Sequence, residues 1–399
     1  MTLRKKLLFL SYHSLPDPAS GAAVSVGDLL DALGKHRGWE IRSLTGPLLD
    51  FQRPVDIKQL LADQQFPFHV TTLQNGDATF ELIGFRAPHY SGGCFVPPDR
   101  SFEPNAVYAD AFAKLAIDLL DQWTPDAILT YGGQSFMPGL FRAAKQRGAT
   151  TVFTLFNFAY FHTDCFQNID TIHVPSRYAA EVYHKRLGIT TVPIPLVMNE
   201  DKILASSPPE SRKYVTFVNP QPHKGVYVFA RIAGILASKR PDIPLLVVES
   251  RAVGRSLLHT GLSLTELGNV SVMRNTPNPS EIYGVSKIVL MPSLWDETFG
   301  RVAAEAMRNG IPVLASDRGS LPEICGQASL IFSVPKKYTP ETRQLISEEE
   351  AIPWVDTILQ LYDDPDYYQA VSRSVLAHAG RWKTECLLER YEQMLLPPS

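Results

Sequence analysis

The sequence has few cysteines and no long hydrophobic run. Its four cysteines are widely separated, with no C-x-x-C pair and no metal-like spacing to histidine: Cys94, Cys165, Cys325 and Cys386. This pattern predicts that they form no disulfides, which suits a reducing cytoplasm. No apolar stretch approaches the ~20 residues that a membrane-spanning helix needs. The apolar stretch after Arg4-Lys5-Lys6 is shorter than the ~7–15 residues of a secretory signal, so we expect a first buried strand there.

Neither sign of charge is in large excess. The chain of 399 residues carries 38 Lys and Arg against 41 Asp and Glu, a net charge of −3, and no long basic run, which gives no reason to expect nucleic-acid binding. No G-x-G-x-x-G follows the first predicted strand, which disfavours a dinucleotide-dependent oxidoreductase. With 45% hydrophobic residues, the chain is long enough for two globular domains, each with its own core.

Apolar, strand-like runs alternate with helix-like stretches along most of the chain. The predicted strands are residues 7–11, 127–131, 151–155, 171–174, 214–218, 245–249, 270–274, 288–291 and 313–316. This alternation predicts an α/β fold with two doubly wound parallel sheets facing a cleft. The series restarts after a Pro- and Ser-rich stretch, so we place a domain at 1–195 and another at 196–380. Residues 51–105, rich in turn formers, are predicted to be a loop-rich insertion.

One segment of the second half, Trp295 to Glu305, has the pattern of a phosphate site. A predicted buried strand precedes it, and Ala303 to Arg308 is predicted to be a helix. A strand, a tight turn and a helix start bring backbone N–H groups to the carboxyl edge of a sheet, where they can bind phosphate. Glu297 and Glu305 are eight positions apart, ~12 Å along a helix, which is too far for an acid/base pair acting on one bond. They are better suited to hold two ends of an extended ligand.

A second segment, Asn219 to Gly225, follows a predicted strand and opens a helix predicted over Val226 to Lys239. Lys224 at this place can put a positive charge on a diphosphate and offset the charge of a leaving group. An ordinary exposed lysine at a helix start is the alternative interpretation. In the first half, Gly21 lies in a predicted loop between the first strand and an apolar-periodic helix.

These segments, together with residues 310–323, resemble the retaining glycosyltransferases of family 4, whose signature is two glutamates separated by seven residues. The resemblance implies the GT-B arrangement of two Rossmann-like domains, with a final helix within 381–399 packing back on the first domain. It implies a cytoplasmic hexosyltransferase of class EC 2.4 that uses a nucleotide-sugar donor, a UDP-sugar being favoured. Retention of configuration, with no metal or other cofactor, is also implied.

The resemblance also assigns partners and residue roles. The donor would bind to the second domain and the unknown acceptor, a glycan, lipid-linked or small molecule, to the first, with at most peripheral membrane contact. Lys224 would meet the diphosphate, Glu297 would lie at the sugar end of the donor, and Glu305 would accept hydrogen bonds from the ribose. The other donor-binding candidates surround these residues, lie in the loop before Lys224 or form the glycine-containing loop of the first domain: Thr298, Phe299, Gly300, Arg301, Val302, Asn219, Gly21 and Ala22.

The sequence departs from the family pattern at two places. Asn219 stands where relatives usually have an arginine five residues before the lysine, and Arg301 is a candidate replacement for the missing cation. Phe156 and Asn157 stand where many relatives have a His and an Asp, and that His usually contacts the transferred sugar. Three residues of the first domain are acceptor-side candidates, each with an ordinary structural role as the alternative: His13, His162 and Arg177.

Two other functions stay open at this stage. A sugar-nucleotide epimerase of the same architecture would consume a donor without any acceptor. A non-catalytic, donor-binding partner subunit of a transferase would bind nucleotide without transferring sugar, and the departures at Asn219 and Phe156 are the features that favour it.

Overall fold

The structure is a computed structural model, and it describes residues 4–50, 55–252, 254–261, 263, 267–326 and 330–397. The chain divides into two compact units. The first unit comprises Met1–Met198 with Lys383–Ser399, and the second comprises Asn199–Trp382. Within the described ranges, no helix combines the length and the apolar character that crossing a membrane would require.

The first unit is built on one nine-stranded sheet with the order β3-β4-β5-β2-β1-β6-β7-β8-β9. Its strands are β1 (Lys6–His13), β2 (Glu40–Leu48), β3 (Phe68–Asn75), β4 (Ala78–Arg86), β5 (Ser91–Val96), β6 (Ala127–Thr130), β7 (Thr150–Thr154), β8 (Thr171–Val174) and β9 (Val192–Pro193). Its helices before the domain boundary are α1 (Gly21–Arg37), α2 (Ile57–Asp63), α3 (Ala106–Trp123), α4 (Met137–Gln146) and α5 (Arg177–Leu187). The apolar run of β1 is fully buried, as its sequence predicts for a central strand.

The prediction of a loop-rich insertion at residues 51–105 is wrong for the described part, and residues 51–54 lie outside it. The segment forms α2 and the strands β3, β4 and β5, with β3 and β4 antiparallel and β5 joining β2 in parallel. The two-residue loop Gly76-Asp77, with Gly76 at φ +58°, fixes the register of β3 on β4. Weak periodicity hides this hairpin in the sequence because β3 is exposed along most of its length. The first sheet is therefore mixed, not wholly parallel.

The second unit is built on a six-stranded, wholly parallel sheet with the order β12-β11-β10-β13-β14-β15. Its strands are β10 (Tyr214–Val218), β11 (Leu245–Val248), β12 (Val270–Met273), β13 (Ser286–Met291), β14 (Val313–Ser316) and β15 (Leu330–Phe332). Its helices are α6 (Glu200–Ile203), α7 (Val226–Lys239), α8 (Pro279–Val285), α9 (Arg301–Arg308), α10 (Leu321–Cys325), α11 (Glu348–Asp363) and α12 (Pro365–Ala379). One large apolar core lies under the sheet and includes Phe217, Phe229 and Trp354.

The strand order reverses once in each sheet. In the first sheet the reversal lies between β1 and β6, and in the second it lies between β10 and β13. Loops that leave neighbouring strands at such a point diverge to opposite sides and open a crevice at the carboxyl ends of the strands. Each unit therefore has one place where its topology favours ligand binding.

The last helix, α13 (Thr384–Leu395), packs on the first unit. Trp39 and Lys5 both donate hydrogen bonds to the carboxylate of Glu392, at 2.9 and 3.0 Å. The Tyr391 hydroxyl lies 3.3 Å from Nε2 of the buried His173. These polar contacts fix the helix in place. The apolar face of the same helix includes the buried Leu388.

His173 is neutral in the folded protein. Its Nε2 lies 2.8 Å from the carbonyl oxygen of Ile194, and since a carbonyl only accepts, Nε2 carries the proton and donates it. Nδ1 is buried and has no hydrogen-bond partner among the described residues. Complete burial lowers the pKa of His173 to about 4.

The burial of His173 makes stability dependent on pH. Between about pH 4 and 6.5 the unfolded chain binds a proton that the folded chain does not, so stability is lost as pH falls, by up to about 3 kcal/mol. The Tm difference between wild type and His173→Gln should therefore shrink from pH 7 to pH 5. His36→Gln, the same change at an exposed histidine of α1, is the matched control. A Tm difference between wild type and His173→Gln that stays constant with pH would contradict this.

Candidate functional site

At the reversal point of the second sheet, the loop after β10 and the loop after β13 are joined backbone to backbone. The carbonyl oxygen of His223 accepts hydrogen bonds from the N–H groups of Leu294, at 2.9 Å, and Trp295, at 3.2 Å. Gly225 has φ +89°, and a Cβ there would lie only 1.9 Å from the carbonyl oxygen of Pro292. Only glycine allows this approach, so the two loops form one rigid unit. We call this unit, residues 219–225 and 292–300, the floor of the site.

The floor brings Lys224 and Glu297 together. Lys224 Nζ lies 2.6 Å from Glu297 Oε1, and the Ser293 hydroxyl donates to the same oxygen at 3.0 Å. The Glu297 side chain is 10% exposed and that of Lys224 is 26% exposed, so the pair is largely shielded but open on the side of the lysine. The sequence predicts a functional role for both residues, and the structure places them in direct contact.

The loop after β14 fixes Glu297 from the other side. Its Ser320 N–H donates to the Glu297 carbonyl oxygen at 2.8 Å. Gly319, with φ +61°, packs so closely that a Cβ would lie 2.3 Å from the Glu297 nitrogen. The Ser316 hydroxyl at the end of β14 donates to the Ser293 carbonyl oxygen at 2.7 Å. Three adjacent strands of the sheet therefore position one carboxylate.

The turn after Glu297 leads directly into α9. Thr298 and Phe299 are buried, Gly300 precedes the helix with φ +79°, and Arg301 and Val302 are its first two residues. No side chain caps this helix start. The first N–H groups of a helix lack partners within the helix and carry the positive end of its dipole. The beginning of α9 therefore presents backbone N–H groups at the predicted turn, and that they bind a phosphate stays a prediction.

Glu305 lies inside α9 and is held by two neighbours. The Tyr283 hydroxyl donates to Oε2 at 2.6 Å, and Arg301 Nε donates to Oε1 at 2.5 Å. Burial raises the pKa of Tyr283 well above its ordinary range, and the Glu305 carboxylate adds to that effect, so the phenol remains a donor. Each carboxylate oxygen keeps a further lone pair for a ligand hydroxyl.

His223 adds no positive charge to the site at neutral pH. Burial, assisted by the neighbouring Lys224, lowers its pKa to about 4. Its ring lies against Trp295, with centroids 5.5 Å apart, and Lys224 Nζ lies 5.9 Å from the centre of the Trp295 ring. Among the described residues, no three His, Cys, Asp or Glu side chains are grouped so that they could hold a metal ion.

Asn219 has a structural reason for its identity. It has φ +64°, in the left-handed region that asparagine tolerates better than most residues. Its side-chain amide donates to Gln221 Oε1 at 2.9 Å, and its Oδ1 accepts from the Ala252 N–H at 3.4 Å. Asn219 therefore shapes the loop that carries Lys224. Arg301, the candidate replacement for the missing arginine, has its Nε committed to Glu305.

A second cluster lies at the reversal point of the first sheet. His13 ends β1, and its Nε2 lies 3.5 Å from the side-chain nitrogen of Gln134, which donates to it. Burial lowers the pKa of His13, so its ring is neutral. Gly132, with φ +110°, leaves no room for a Cβ between these two side chains. Oε1 of Gln134 is buried and has no hydrogen-bond partner among the described residues.

Aromatic rings line this second cluster. The Tyr131 ring lies 5.4 Å from that of His13 and 5.6 Å from that of Phe156, which it meets edge to face. Phe156, two residues after the end of β7, is therefore an apolar contact of Tyr131. Asn157, beside it, accepts a hydrogen bond from the Ala159 N–H and so serves its own loop.

The remaining candidates of the first unit are more exposed. Gly21 and Ala22 are the first two residues of α1, and the expectation that Gly21 lies in a loop before the helix is wrong because Ser20 caps the helix there. A Cβ on Gly21 would meet no atom within 4 Å, so this glycine is not required sterically. His162 is exposed, and Arg177 is the exposed first residue of α5, capped by Ser176 as its sequence predicts.

Sequence reasoning missed several residues that complete the two clusters. They are the supporting neighbours of the predicted residues: His223, Tyr283, Ser293, Trp295 and Gln134. Ser293 and Trp295 directly flank the predicted turn, and their places next to Glu297 could have been noticed. Tyr283 is 22 positions before Glu305, and no local pattern links the two.

Comparison with known protein families gives a match to most of the second unit. Residues 199–375 match the family model of glycosyl transferases group 1. A D-inositol 3-phosphate glycosyltransferase of Arthrobacter sp. (strain FB24) is 32% identical over 162 residues, covering 39% of this chain and 35% of that protein. The chain spans less than half the length of the curated relatives that it matches.

Solved structures resemble the whole chain in fold. Anabaena Alr3699/HepE in complex with UDP and glucose has a TM-score of 0.64 at 16% identity, covering 98% of this chain and 99% of that one. The catalytic domain of starch synthase IV from Arabidopsis thaliana, bound to ADP and acarbose, has a TM-score of 0.66 at 14% identity, covering 97% and 99%. The chain therefore has the GT-B fold, with two Rossmann-like α/β units, as the sequence predicts.

The close approach of Gly225 to Pro292 predicts a large effect of one methyl group. Gly225→Ala combines left-handed backbone strain with a clash against a backbone oxygen and should lower the free energy of unfolding of the second unit by at least about 3 kcal/mol. Gly234→Ala, in α7 of the same unit, meets no atom within 4 Å and should stabilise by ~0.5–1 kcal/mol. Denaturant unfolding measures both. Equal effects of the two changes would show that the loops are not in contact.

Proposed function

We propose that this protein is a retaining glycosyltransferase that uses a nucleotide-sugar donor. The observation that carries the proposal is the contact of Lys224 with Glu297 at the reversal point of the second sheet, beside the uncapped start of α9. A cation, backbone donors and a carboxylate at one such place suit a ligand that combines a diphosphate with a sugar. The family match over residues 199–375 supports the same assignment.

In this proposal the ion pair holds Lys224 in place until the donor arrives. A buried pair is costly to separate unless another charge replaces the lost partner. The donor diphosphate is such a charge: Lys224 turns to the phosphate oxygens, and Glu297 becomes available to accept hydrogen bonds from sugar hydroxyls. Ser293 and the Ser320 N–H keep Glu297 fixed during the exchange.

Glu305 binds the ribose of the donor. Tyr283 and Arg301 each occupy one of its oxygens and so orient the carboxylate, leaving lone pairs for the two ribose hydroxyls. A carboxylate that already has two charge-assisted or buried donors is fixed before the ligand binds, which lowers the entropic cost of binding. The backbone N–H groups at the start of α9 meet the pyrophosphate.

The proposed reaction needs no protein nucleophile and no metal ion. The bond between the anomeric carbon and the diphosphate oxygen breaks, and the acceptor oxygen forms a new bond on the same face, which retains the configuration. The acceptor proton passes to the departing phosphate oxygen. Lys224 and the start of α9 stabilise the charge that grows on this leaving group.

The first unit supplies the acceptor side in this proposal. His13 is neutral, and the unpartnered Oε1 of the buried Gln134 can accept a hydrogen bond from a hydroxyl of the acceptor. The half-buried ring of Phe156 offers an apolar face of the kind that sugar rings pack against. Acceptors with several hydroxyl groups fit these features. His162 and Arg177 are further acceptor-side candidates of this unit.

A second candidate function is favoured by Asn219 and Phe156. A donor-binding subunit without transfer activity would need the floor of the second unit but not the usual arginine and histidine. It would bind nucleotide, and sugar transfer would be seen only when a partner transferase is added.

An epimerase of the same architecture is distinguished by incubation with donor alone, since it would change the donor without any acceptor.

The first test is thermal stabilisation by UDP, GDP, ADP and their common sugar conjugates. Some solved structures of this fold hold UDP and another holds ADP, so the base must be found by experiment. We expect UDP and UDP-sugars to stabilise the protein, by ~2.7 kcal/mol at a hundred times the dissociation constant. Glu305→Gln should weaken this effect. No stabilisation by any nucleotide would overturn the proposal and its second candidate together.

The second test is kinetic. Lys224→Met and Glu305→Gln should each lower kcat/KM at least about tenfold, equivalent to ~1.4 kcal/mol of transition-state stabilisation. Lys239→Met removes a lysine from the far end of α7 and serves as the matched control with unchanged kinetics. Tm values confirm that each variant is folded. Unchanged turnover in either of the first two variants would place the reaction elsewhere.

A further inference from the structure

The two sheets expose four edge strands, and one of them differs from the other three. Among the described residues, β9, β15 and β12 are only 2, 3 and 4 residues long, and β9 contains Pro193. Short strands and prolines are the usual protection of a sheet edge against pairing with another chain. The fourth edge, β3, is 8 residues long.

β3 carries none of the usual protections. Its residues, Phe68 to Asn75, include no proline and no Lys, Arg, Asp or Glu. Its register on β4 is continuous from Phe68↔Phe85 to Asn75↔Ala78, without a bulge that would twist the edge away. Within the part of the chain that the structure describes, no backbone group of β3 bonds to anything except β4. The outward N–H and C=O groups are therefore available along the whole strand.

The apolar surface of the first unit continues to this edge. Val70 and Phe68 are 40% and 39% exposed, and they lie opposite Ile83 and Phe85 of β4. Ile83 and Phe85 belong to a small buried cluster with α2 residues, including Leu61. Two large apolar side chains thus extend a buried cluster into solvent at the place where the backbone is also unpaired.

We propose that β3 pairs with β3 of a second copy of this chain, antiparallel and about a two-fold axis perpendicular to the sheet. The two first units then share one continuous sheet. Each copy offers a single long edge of this kind among the described residues, so the pairing closes at a dimer.

The sequence of β3 favours pairing with β3 of a second copy over pairing with a charged strand of another protein. An axis perpendicular to the sheet keeps each side chain on its own face, and an axis at Thr71 sets Val70 against Thr72 and Phe68 against Gln74. No like charges meet, because the strand has no Lys, Arg, Asp or Glu and His69 lies opposite Leu73. Seven paired residues, Phe68 to Gln74, span ~24 Å. A charged foreign strand would find no complementary charge here.

The test is the molecular mass in solution as a function of concentration, by analytical ultracentrifugation of the full chain. We expect a reversible dimer for wild type. Val70→Lys places a charge beside the axis in each copy and should raise the dimer dissociation constant at least about tenfold. Thr79→Lys is the matched control: it adds the same charge on the same face but on β4, one strand inside the edge, and should dimerise like wild type.

Hydrogen exchange gives a second, independent measurement. Amides of β3 that point away from β4 should gain protection as the protein concentration rises, and those of β12, the edge of the other sheet, should not. A wild-type monomer at every concentration, a dimer that Val70→Lys leaves intact, or growth beyond a dimer would each overturn the proposal. Nucleotide binding is unaffected by either result, so the proposal stands or falls separately from the proposed function.

Discussion

The candidate site depends on one backbone contact, that of the loop after β10 with the loop after β13. Neighbouring parallel strands at a reversal point send their chains to different sides of the sheet, and the loops there would otherwise separate. The carbonyl oxygen of His223 holds two N–H groups of the other loop, and Gly225 lies against Pro292 where no side chain fits. Because this contact leaves no freedom in the backbone, Lys224 can meet Glu297 only at one place.

Two largely buried carboxylates of the second unit, those of Glu297 and Glu305, each have oriented polar partners. Burial of a charge costs several kcal/mol, and a pairing of opposite charges often only offsets that cost. Glu297 has a cation, a hydroxyl and a backbone scaffold, and Glu305 has a guanidinium and a buried phenol. An apolar pair of the same volume would serve the core at least as well. Buried carboxylates with partners oriented in this way are expected where a ligand replaces some of those partners on binding.

The sequence predicts what is local and periodic. The predicted strands of the second half agree with the structure to within two residues at each end, because buried parallel strands are continuous apolar runs. The sequence also places Lys224 and Glu297 at the ends of two strands, which become neighbours only if the strand order reverses between them. Their contact is therefore predictable from topology but not from spacing.

What the sequence does not predict is set by distant neighbours. β3 was missed because both its faces are exposed, so the alternation of apolar and polar residues that marks a half-buried strand is absent. Tyr283 has no sequence relation to Glu305, and Gln134 becomes notable only because its buried Oε1 is left without a partner among the described residues. The supporting residues of a site are chosen by three-dimensional packing, and a linear pattern does not record it.

The departure at Asn219 is best understood as a consequence of loop geometry. At φ +64° a long side chain such as arginine is sterically strained, because the backbone lies in the left-handed region. Asparagine offsets this strain with hydrogen bonds to Gln221 and Ala252. Arg301 does not simply replace the missing cation, since its Nε–H is donated to Glu305. In the proposed transferase, more of the charge on the leaving diphosphate must then be met by Lys224 and by the backbone N–H groups of α9. Backbone donors are fixed in direction and lose no side-chain entropy, so a site that relies on them places stricter demands on the position of the phosphate than on its charge.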